Sequence, residues 1–325
     1  MELTKENVGV IGQGFVGTAV REKFKVEYNV FTYDKYKASD SRIYNGDLIS
    51  DNECSILDIV KECKIAFVCV PTPMFQDGKC DISIVDSVIN ELNEECVKLD
   101  SKLTVIIKST VPPGTTATLN MKYSNVGIVF SPEFLTEANA NEDFENQTRI
   151  VLGVDWIEYV EPVGQLFAKV FPEAKLIYVN SIEAEMTKYF TNLFLATKVS
   201  FFNDMYKLCK RLNRSESTNV DINYNNVIEA TLHDERIGKT HTMVPGPDGD
   251  YGYGGHCFPK DMSAILNIAD SEGISMPTLF GAHTTNQLVR KNRDWEEMKG
   301  RAVVDYVAED IEASNKVEIE DENII

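Results

Sequence analysis

Histidine is scarce in this chain, four residues in 325, and no two of its seven cysteines form a Cys-x-x-C pair. That combination offers no metal-ligand spacing, and no metal is expected. The thiols, at positions 54, 63, 69, 80, 96, 209 and 257, are odd in number, and most sit in apolar runs such as Ile65-Ala66-Phe67-Val68-Cys69-Val70. Cysteine there serves as a small buried hydrophobe, and a reducing, cytoplasmic compartment is expected. Positive charge is also short: 32 Lys+Arg face 51 Asp+Glu, a net −19. Such a field repels phosphate backbones and anionic lipid, so neither nucleic acid nor a membrane surface is an expected partner. No apolar run approaches the roughly 18 residues of a membrane helix. Met1-Glu2-Leu3-Thr4-Lys5-Glu6 leads straight into a strand-like segment, so no signal peptide is expected.

What is present has the composition of an ordinary globular protein, with 43% apolar and 26% charged residues. The length predicts two domains at roughly 150 residues each. Seven acids and one lysine fall in Ala308–Ile325, which carries −6 and leaves −13 for the remainder. That segment reads as a solvated, mobile tail, because its few apolar residues cannot offset the entropy of ordering it.

Strand-like runs occur at Val8–Ile11, Asn29–Tyr33, Ile65–Val70, Leu103–Ile107, Gly127–Phe130, Ile150–Val154 and Leu176–Val179. Helix-like stretches alternate with them: Val16–Phe24, Ser55–Cys63, Ile84–Lys98, Thr115–Tyr123 and Asp155–Phe171. Short apolar strands alternating with helices predict an α/β fold, a parallel sheet covered on both faces. From Ser181 to Asn213 the pattern is helical for 33 residues without Pro or Gly, a spine helix. Further helices are expected at Tyr224–Leu232, Asp261–Asp270 and Thr278–Trp295, with the Gly/Pro-rich loop 244–255 between them. The predicted boundaries are 1–180, 181–295 and an acidic, disordered 296–325.

Gly12-Gln13-Gly14-Phe15-Val16-Gly17 directly follows the first strand and opens a helix. Glycines at these points allow a tight turn, close approach of backbone to a pyrophosphate, and helix–strand packing. The helix start supplies free N–H groups and partial positive charge, a local anion device in an acidic protein. Asp34 lies 22 residues beyond Gly12, at the end of the second strand, where a carboxylate accepts ribose hydroxyls. It favours NAD over NADP, with Lys35 and Lys37 beside it.

Three further segments stand out. In Glu185-Met186-Thr187-Lys188-Tyr189-Phe190-Thr191-Asn192, Lys188 and Asn192 are four apart and share one helix face. A cation and an amide facing a cleft could hold a developing oxyanion, though the same pattern fits a solvated face. Ser131-Pro132-Glu133-Phe134-Leu135-Thr136-Glu137 follows a strand end, where α/β sheets place ligands. Gly254-Gly255-His256-Cys257-Phe258-Pro259-Lys260-Asp261 puts a thiol after a flexible double glycine and three residues before a cation, which lowers a thiol's pKa.

Taken together, these segments resemble the UDP-glucose/GDP-mannose dehydrogenase family over about residues 6–295. Val70-Pro71-Thr72-Pro73, Lys108-Ser109-Thr110-Val111-Pro112-Pro113-Gly114 and Asp234-Glu235-Arg236-Ile237-Gly238 complete the ordered set. The resemblance implies a Rossmann-type doubly wound, mainly parallel sheet, then an all-helical central domain with a long spine helix that builds a homodimer. It implies NAD-dependent, four-electron oxidation of a nucleotide sugar's C6 alcohol to a carboxylate, most simply UDP-glucose to UDP-glucuronate.

By the same resemblance Cys257 is the nucleophile, Lys188 and Asn192 steady the oxyanion, and Asp261 positions water. Glu133 assists thioester hydrolysis, and Glu137 lies on the nicotinamide side. Thr110 positions water or cofactor, and Thr72 contacts the dinucleotide along with Gly12, Gly14, Phe15, Val16, Gly17, Asp34 and Lys35. Phe134, Leu135, Arg236, Tyr253, Gly254 and Lys260 meet the sugar nucleotide. His256 occupies a variable position and is assigned to local packing. The resemblance stops near Trp295, where the family continues with a second α/β domain; about 30 polar residues remain, with room for one short helix around Arg301–Ala308. Two other readings stay open: a non-catalytic NAD or nucleotide-sugar binding partner, and a GDP-mannose or UDP-N-acetyl-sugar dehydrogenase. A two-electron hydroxyacid or polyol dehydrogenase would leave Cys257 without a purpose.

Overall fold

The computed structural model describes residues 5–35, 54–136, 139–213 and 221–305, with the backbone of 43–44 and 47–48. Lys37, Glu137 and the acidic segment Ala308–Ile325 lie outside them. Two compact units divide these residues. One holds the chain up to Thr72 together with Ile82–Asn192, and the other holds Pro73–Asp81 and the chain from Leu193.

The first unit is built on nine strands: β1 Asn7–Ile11, β2 Asn29–Tyr33, β3 Ile43–Tyr44, β4 Asp47–Leu48, β5 Ile65–Val68, β6 Leu103–Ile107, β7 Val126–Phe130, β8 Arg149–Gly153 and β9 Lys175–Val179. Their order in the sheet is β4-β3-β2-β1-β5-β6-β7-β8-β9. From β2 to β7 every pairing is parallel, and β8 turns antiparallel to β7 through the pair Phe130 and Gly153. The chain crosses from one side of β1 to the other at β5, so a crevice opens at the carboxyl ends of β1 and β5.

Helices α1 Phe15–Phe24, α2 Ile56–Glu62, α3 Ser83–Lys98, α4 Thr115–Lys122, α5 Ala140–Glu145 and α6 Ile157–Val170 connect the strands. The two faces of the sheet sort residue by residue, as the period of two demands. Ala66, Val68, Val105 and Ile107 enter one apolar cluster with Ile56, Ile89 and Leu92. Their neighbours Phe67 and Ile106 enter the other, with Val20, Phe24, Val163 and Phe167. Strands buried on both faces are what near-continuous Val/Ile runs encode.

The 32-residue α7, Ser181–Leu212, begins in the first unit and ends in the second. Its start is fixed by its side chains: Ser181 N donates to Asp155 Oδ1 at 2.8 Å, and Glu185 accepts from Gly114 N at 2.5 Å and Thr116 N at 2.8 Å. The second unit continues with α8 Tyr224–Thr231, α9 Cys257–Ser271, α10 Pro277–Val289 and α11 Asp294–Glu297. It is not purely helical, because Pro73–Asp81 folds back on itself through a Met74–Cys80 bridge, and Met74 also pairs with Val303. Arg301–Asp305 therefore forms a turn and a bridge where room for a short helix was expected. Among the described residues no helix is long and apolar enough to cross a membrane.

Candidate active site

In the first unit, the sequence-predicted residues gather at the carboxyl ends of the parallel strands. After β1, Gly12 takes φ +88°, and a Cβ there would meet Cys69 O at 2.5 Å. A Cβ on Gly17 would strike Gly12 O at 1.8 Å, so both positions require glycine. Nothing lies within 4 Å of where a Gly14 Cβ would stand, which leaves the backbone bare at the N-cap of α1. Phe15 and Val16 follow as the half-buried first residues of that helix. Asp34, after β2, accepts the Gln13 amide at 2.6 Å, which brings the carboxylate beside the glycine turn, with Lys35 exposed next to it. An open helix start with a carboxylate alongside fits the pyrophosphate and ribose of a dinucleotide. Thr72 is buried after β5 and donates to the Thr110 carbonyl at 2.7 Å, joining two of the expected cofactor residues.

Beyond β7 a charged cluster is buried. Lys188 Nζ donates to Glu133 O at 2.6 Å and to Glu133 Oε2 at 2.9 Å, and both side chains are about 95% buried or more. Asn192, one turn further along α7, is buried as well, so the Lys188/Asn192 face is not a solvated one. Phe134 lies beneath Arg149 and Lys188, at 4.7 and 5.7 Å from its ring centre, and Leu135 is buried.

A third charged group was quoted in the sequence without a role. Lys108, at the end of β6, donates to Pro132 O at 3.0 Å and Ser131 Oγ at 3.3 Å, the two residues before Glu133. Burial pushes its ammonium down to about 8, against the pull of the Glu133 carboxylate and the Cys69 sulfur; Lys188 adds repulsion. Glu185 was also missed. Burial holds its carboxyl above the usual value although two backbone amides favour the charged form.

The second unit carries the thiol. Cys257 is the first residue of α9 and is partly exposed, whereas the other six cysteines are buried. His256, the N-cap, sets Nε2 3.4 Å from Cys257 Sγ, a specific contact beyond the packing role expected for it. Lys260 and Asp261 are both buried and paired at 2.7 Å. Lys260 was expected to face a sugar nucleotide, but its side chain is 6% exposed and turned to its neighbour. Burial alone would lower its pKa, yet the Asp261 carboxylate, with the Cys80 and Cys257 sulfurs, raises it above the usual lysine value. Arg236 is exposed and forked onto Asp234, with Nε donating to Oδ1 at 2.9 Å.

The loop before Cys257 is pinned by residues that no motif marked. Asn286 accepts from Tyr253 N at 2.7 Å and donates to Tyr253 O at 3.1 Å, and Asp294 accepts from Gly255 N at 3.1 Å. Arg290, buried, pairs with Asp248, Asp250 and Asp294. A Cβ on Gly254 would meet Arg290 Nη2 at 2.2 Å and Asp294 Oδ1 at 2.6 Å, so a side chain there would have to displace that ion pair, and Tyr253 itself is buried. The polar spacing 286, 290, 294 at intervals of four was the available signal. The predicted residues thus form two groups: Gly12–Gly17, Asp34, Thr72, Thr110, Glu133 and Lys188/Asn192 in one unit, Arg236 and Tyr253–Asp261 in the other. Among the described residues no cluster of His, Cys, Asp and Glu could hold a metal.

Residues 6–171 match the UDP-glucose/GDP-mannose dehydrogenase family, NAD binding domain, and residues 182–288 match that family's central domain. The UDP-glucose 6-dehydrogenase of Rickettsia prowazekii (strain Madrid E) is 32% identical over 275 residues, 78% of this chain and 59% of that one. The enzyme of the same name from Campylobacter jejuni is 35% identical over 227 residues, 69% of this chain and 53% of its own. The chain thus spans less than two thirds of the length of these relatives. A solved UDP-glucose dehydrogenase from the hyperthermophilic archaeon Pyrobaculum islandicum superposes with a TM-score of 0.73 at 28% identity, over 87% of this chain and 68% of that one.

Proposed function

The chain belongs to the UDP-glucose/GDP-mannose dehydrogenase family, and we propose that it oxidises the C6 alcohol of a nucleotide sugar, UDP-glucose first among them, to the carboxylate. The observation that carries this reading is the thiol: Cys257 alone of the seven cysteines is not buried, and it starts a helix, where a thiolate is favoured. A two-electron dehydrogenase has no use for it. Bound NAD supplies the hydride acceptor, in two rounds. The other steps belong to this chain's residues.

Lys188 and Asn192 steady the alkoxide as C6 loses its first hydride. Cys257 Sγ then adds to the aldehyde carbon, so the aldehyde is not released before the second hydride leaves. The thioester that results is cut by water, which Asp261 and Glu133 position, and Sγ departs as thiolate. One alcohol and one water give one carboxylate, two reduced cofactors and three protons. Glu133 suits that task because Lys188 anchors both its carbonyl and its carboxylate, fixing where the carboxylate stands. Asp34 favours the unphosphorylated ribose of NAD.

Counting reduced cofactor per sugar consumed tests this reading, with UDP-glucose, GDP-mannose and UDP-N-acetyl sugars as substrates. Two NADH per sugar is the expected result. One would overturn the thioester route, and none with any sugar would favour a binding partner without catalysis.

A homodimer through α7 is part of the same proposal. Phe194, Phe201, Met205, Leu208 and Leu212 are exposed at steps of seven, four, three and four, the seam of a coiled coil. Light scattering at twice the 36.5 kDa chain mass is the check. The cytoplasm, where the cofactor and nucleotide sugars are made and thiols stay reduced, is the expected location.

A further inference from the structure

Cys257 Sγ lies within hydrogen-bonding reach of a base. We propose that His256 is a catalytic residue that takes the proton from Cys257 Sγ, making the thiolate that captures the aldehyde. The inference deepens the thioester reading and rests on it for its place in the reaction.

Geometry carries it. His256 Nε2 stands 3.4 Å from Sγ, and the imidazole makes no side-chain capping bond to the amides of α9 although it occupies the N-cap. Those amides and the dipole of a 15-residue helix face Cys257, the first helical residue, and favour negative sulfur. Charged groups of α9 and the neighbouring elements are engaged with one another. On α9 itself, Lys260 is bound to Asp261 at 2.7 Å and held above the usual lysine pKa, so it remains a cation and cannot accept the proton. From the segment Pro73–Asp81, Cys80 faces Lys260. From the end of α10 and from α11, Asp294 receives the Gly255 amide and pairs with Arg290. The imidazole Nε2 is a base within hydrogen-bonding reach of the sulfur.

The proton and electron count closes. With Nδ1 carrying its hydrogen, Nε2 accepts the S–H proton and becomes imidazolium. A sulfur lone pair forms the C–S bond, the carbonyl π pair moves to oxygen, and the imidazolium proton neutralises that oxygen as a thiohemiacetal. After the second hydride leaves, the hydroxyl proton goes to water. When water cleaves the thioester the C–S electrons return to sulfur, and the thiolate again faces His256. Lys260 supplies standing positive charge one turn along, so the pair works beside a cation that does not titrate with it.

The test needs neither substrate nor cofactor. The full chain is alkylated with iodoacetamide between pH 5 and 9.5, and the rate at Cys257 is followed by peptide mass. The six buried thiols are shielded under the same conditions. In His256→Gln the midpoint of the rate profile is expected to rise by about one pH unit, toward the roughly 8.5 of an ordinary thiol, with about a tenfold slower rate near pH 6.5. His256→Asn is expected to show the same change, and both variants should keep the parent melting temperature. A purely structural histidine would leave the midpoint in place, and one midpoint common to the parent and both variants overturns the proposal.

The companion variant Cys257→Ser separates the two readings. Persistent acid formation there would end the role of Cys257 as nucleophile while leaving any shift caused by His256 standing. Loss of acid formation with no alkylation shift would end only the role of His256.

Discussion

Lys108 and Lys260 are both buried, at 2% and 4% exposure, yet they end on opposite sides of an ordinary lysine. Lys108 meets neutral oxygens, the Ser131 hydroxyl and the Pro132 carbonyl, and burial takes it down to about 8. Lys260 has a carboxylate at 2.7 Å, and the same loss of water is overcome. Burial therefore does not decide the charge of a lysine; the formal charge of its nearest acceptor does. In the first unit the arrangement provides a cation that can give up its proton in weakly alkaline solution. In the second it provides a permanent one beside the thiol.

Asp261→Asn should break the contrast most strongly, by turning Lys260 into a second Lys108. Removing one partner of a buried pair costs about 3–5 kcal/mol, read from the urea midpoint at pH 7. A loss near zero would mean that the pair is not dry.

Lys108→Met should show a smaller effect with a distinctive pH dependence. Between about pH 8 and the 10.5 of a free lysine, the unfolded chain holds a proton on this residue that the folded chain has lost. Unfolding then takes up a proton, so the parent gains stability over the variant as pH rises, by at most about 1.4 kcal/mol per pH unit. Lys260 has the reverse sign: its contribution is complete below 10.5 and is lost as pH rises from there through its raised value. A parent-minus-variant difference that stays flat from pH 8 to 10.5 would show that Lys108 is not depressed.

Arg236→Ala supplies the exposed end of the series. Its bond to Asp234 is solvated, and no change in denaturation midpoint is expected. An increased KM for the nucleotide sugar with folding unaltered would give this residue the substrate role implied for it, and an unchanged KM would remove that role.

Seven of the nine strands were legible to within two residues, because burial on both faces leaves little else that short apolar runs can do, whereas the two-residue β3 and β4 are too short to show a pattern. Direction was not legible: the apolar run Ile150–Val154 reads the same whether β8 lies parallel or antiparallel to β7. Helix α5 escaped notice because six residues are too few for a period to show. Helix α9 starts at Cys257, four residues before the expected Asp261, since Pro259 reads as a breaker but is tolerated in a first turn, where its missing N–H has no partner to lose. Helix α10 stops at Val289 and not at Trp295, where Arg290 turns extended among three acids. The glycine turn and the Lys188/Asn192 spacing are local patterns and could be read. The Lys188–Glu133 bond spans 55 residues and the Tyr253–Asn286 bonds span 33, distances over which no periodicity carries information.

The second unit is discontinuous in sequence: nine residues, Pro73–Asp81, leave the ribosome before most of the first unit, and Met74 pairs with Ala302 and Val304 through backbone bonds of 2.8 and 3.0 Å. Synthesis at roughly 5–20 residues per second places more than ten seconds between Met74 and those partners. The first unit can complete its sheet in that interval, because everything it needs ends at Asn192. The hairpin must wait, edge unpaired, until the far end of the described chain arrives. A late-closing strand of this kind gives the nascent protein an interval in which the cofactor-binding half is formed and the thiol half is not.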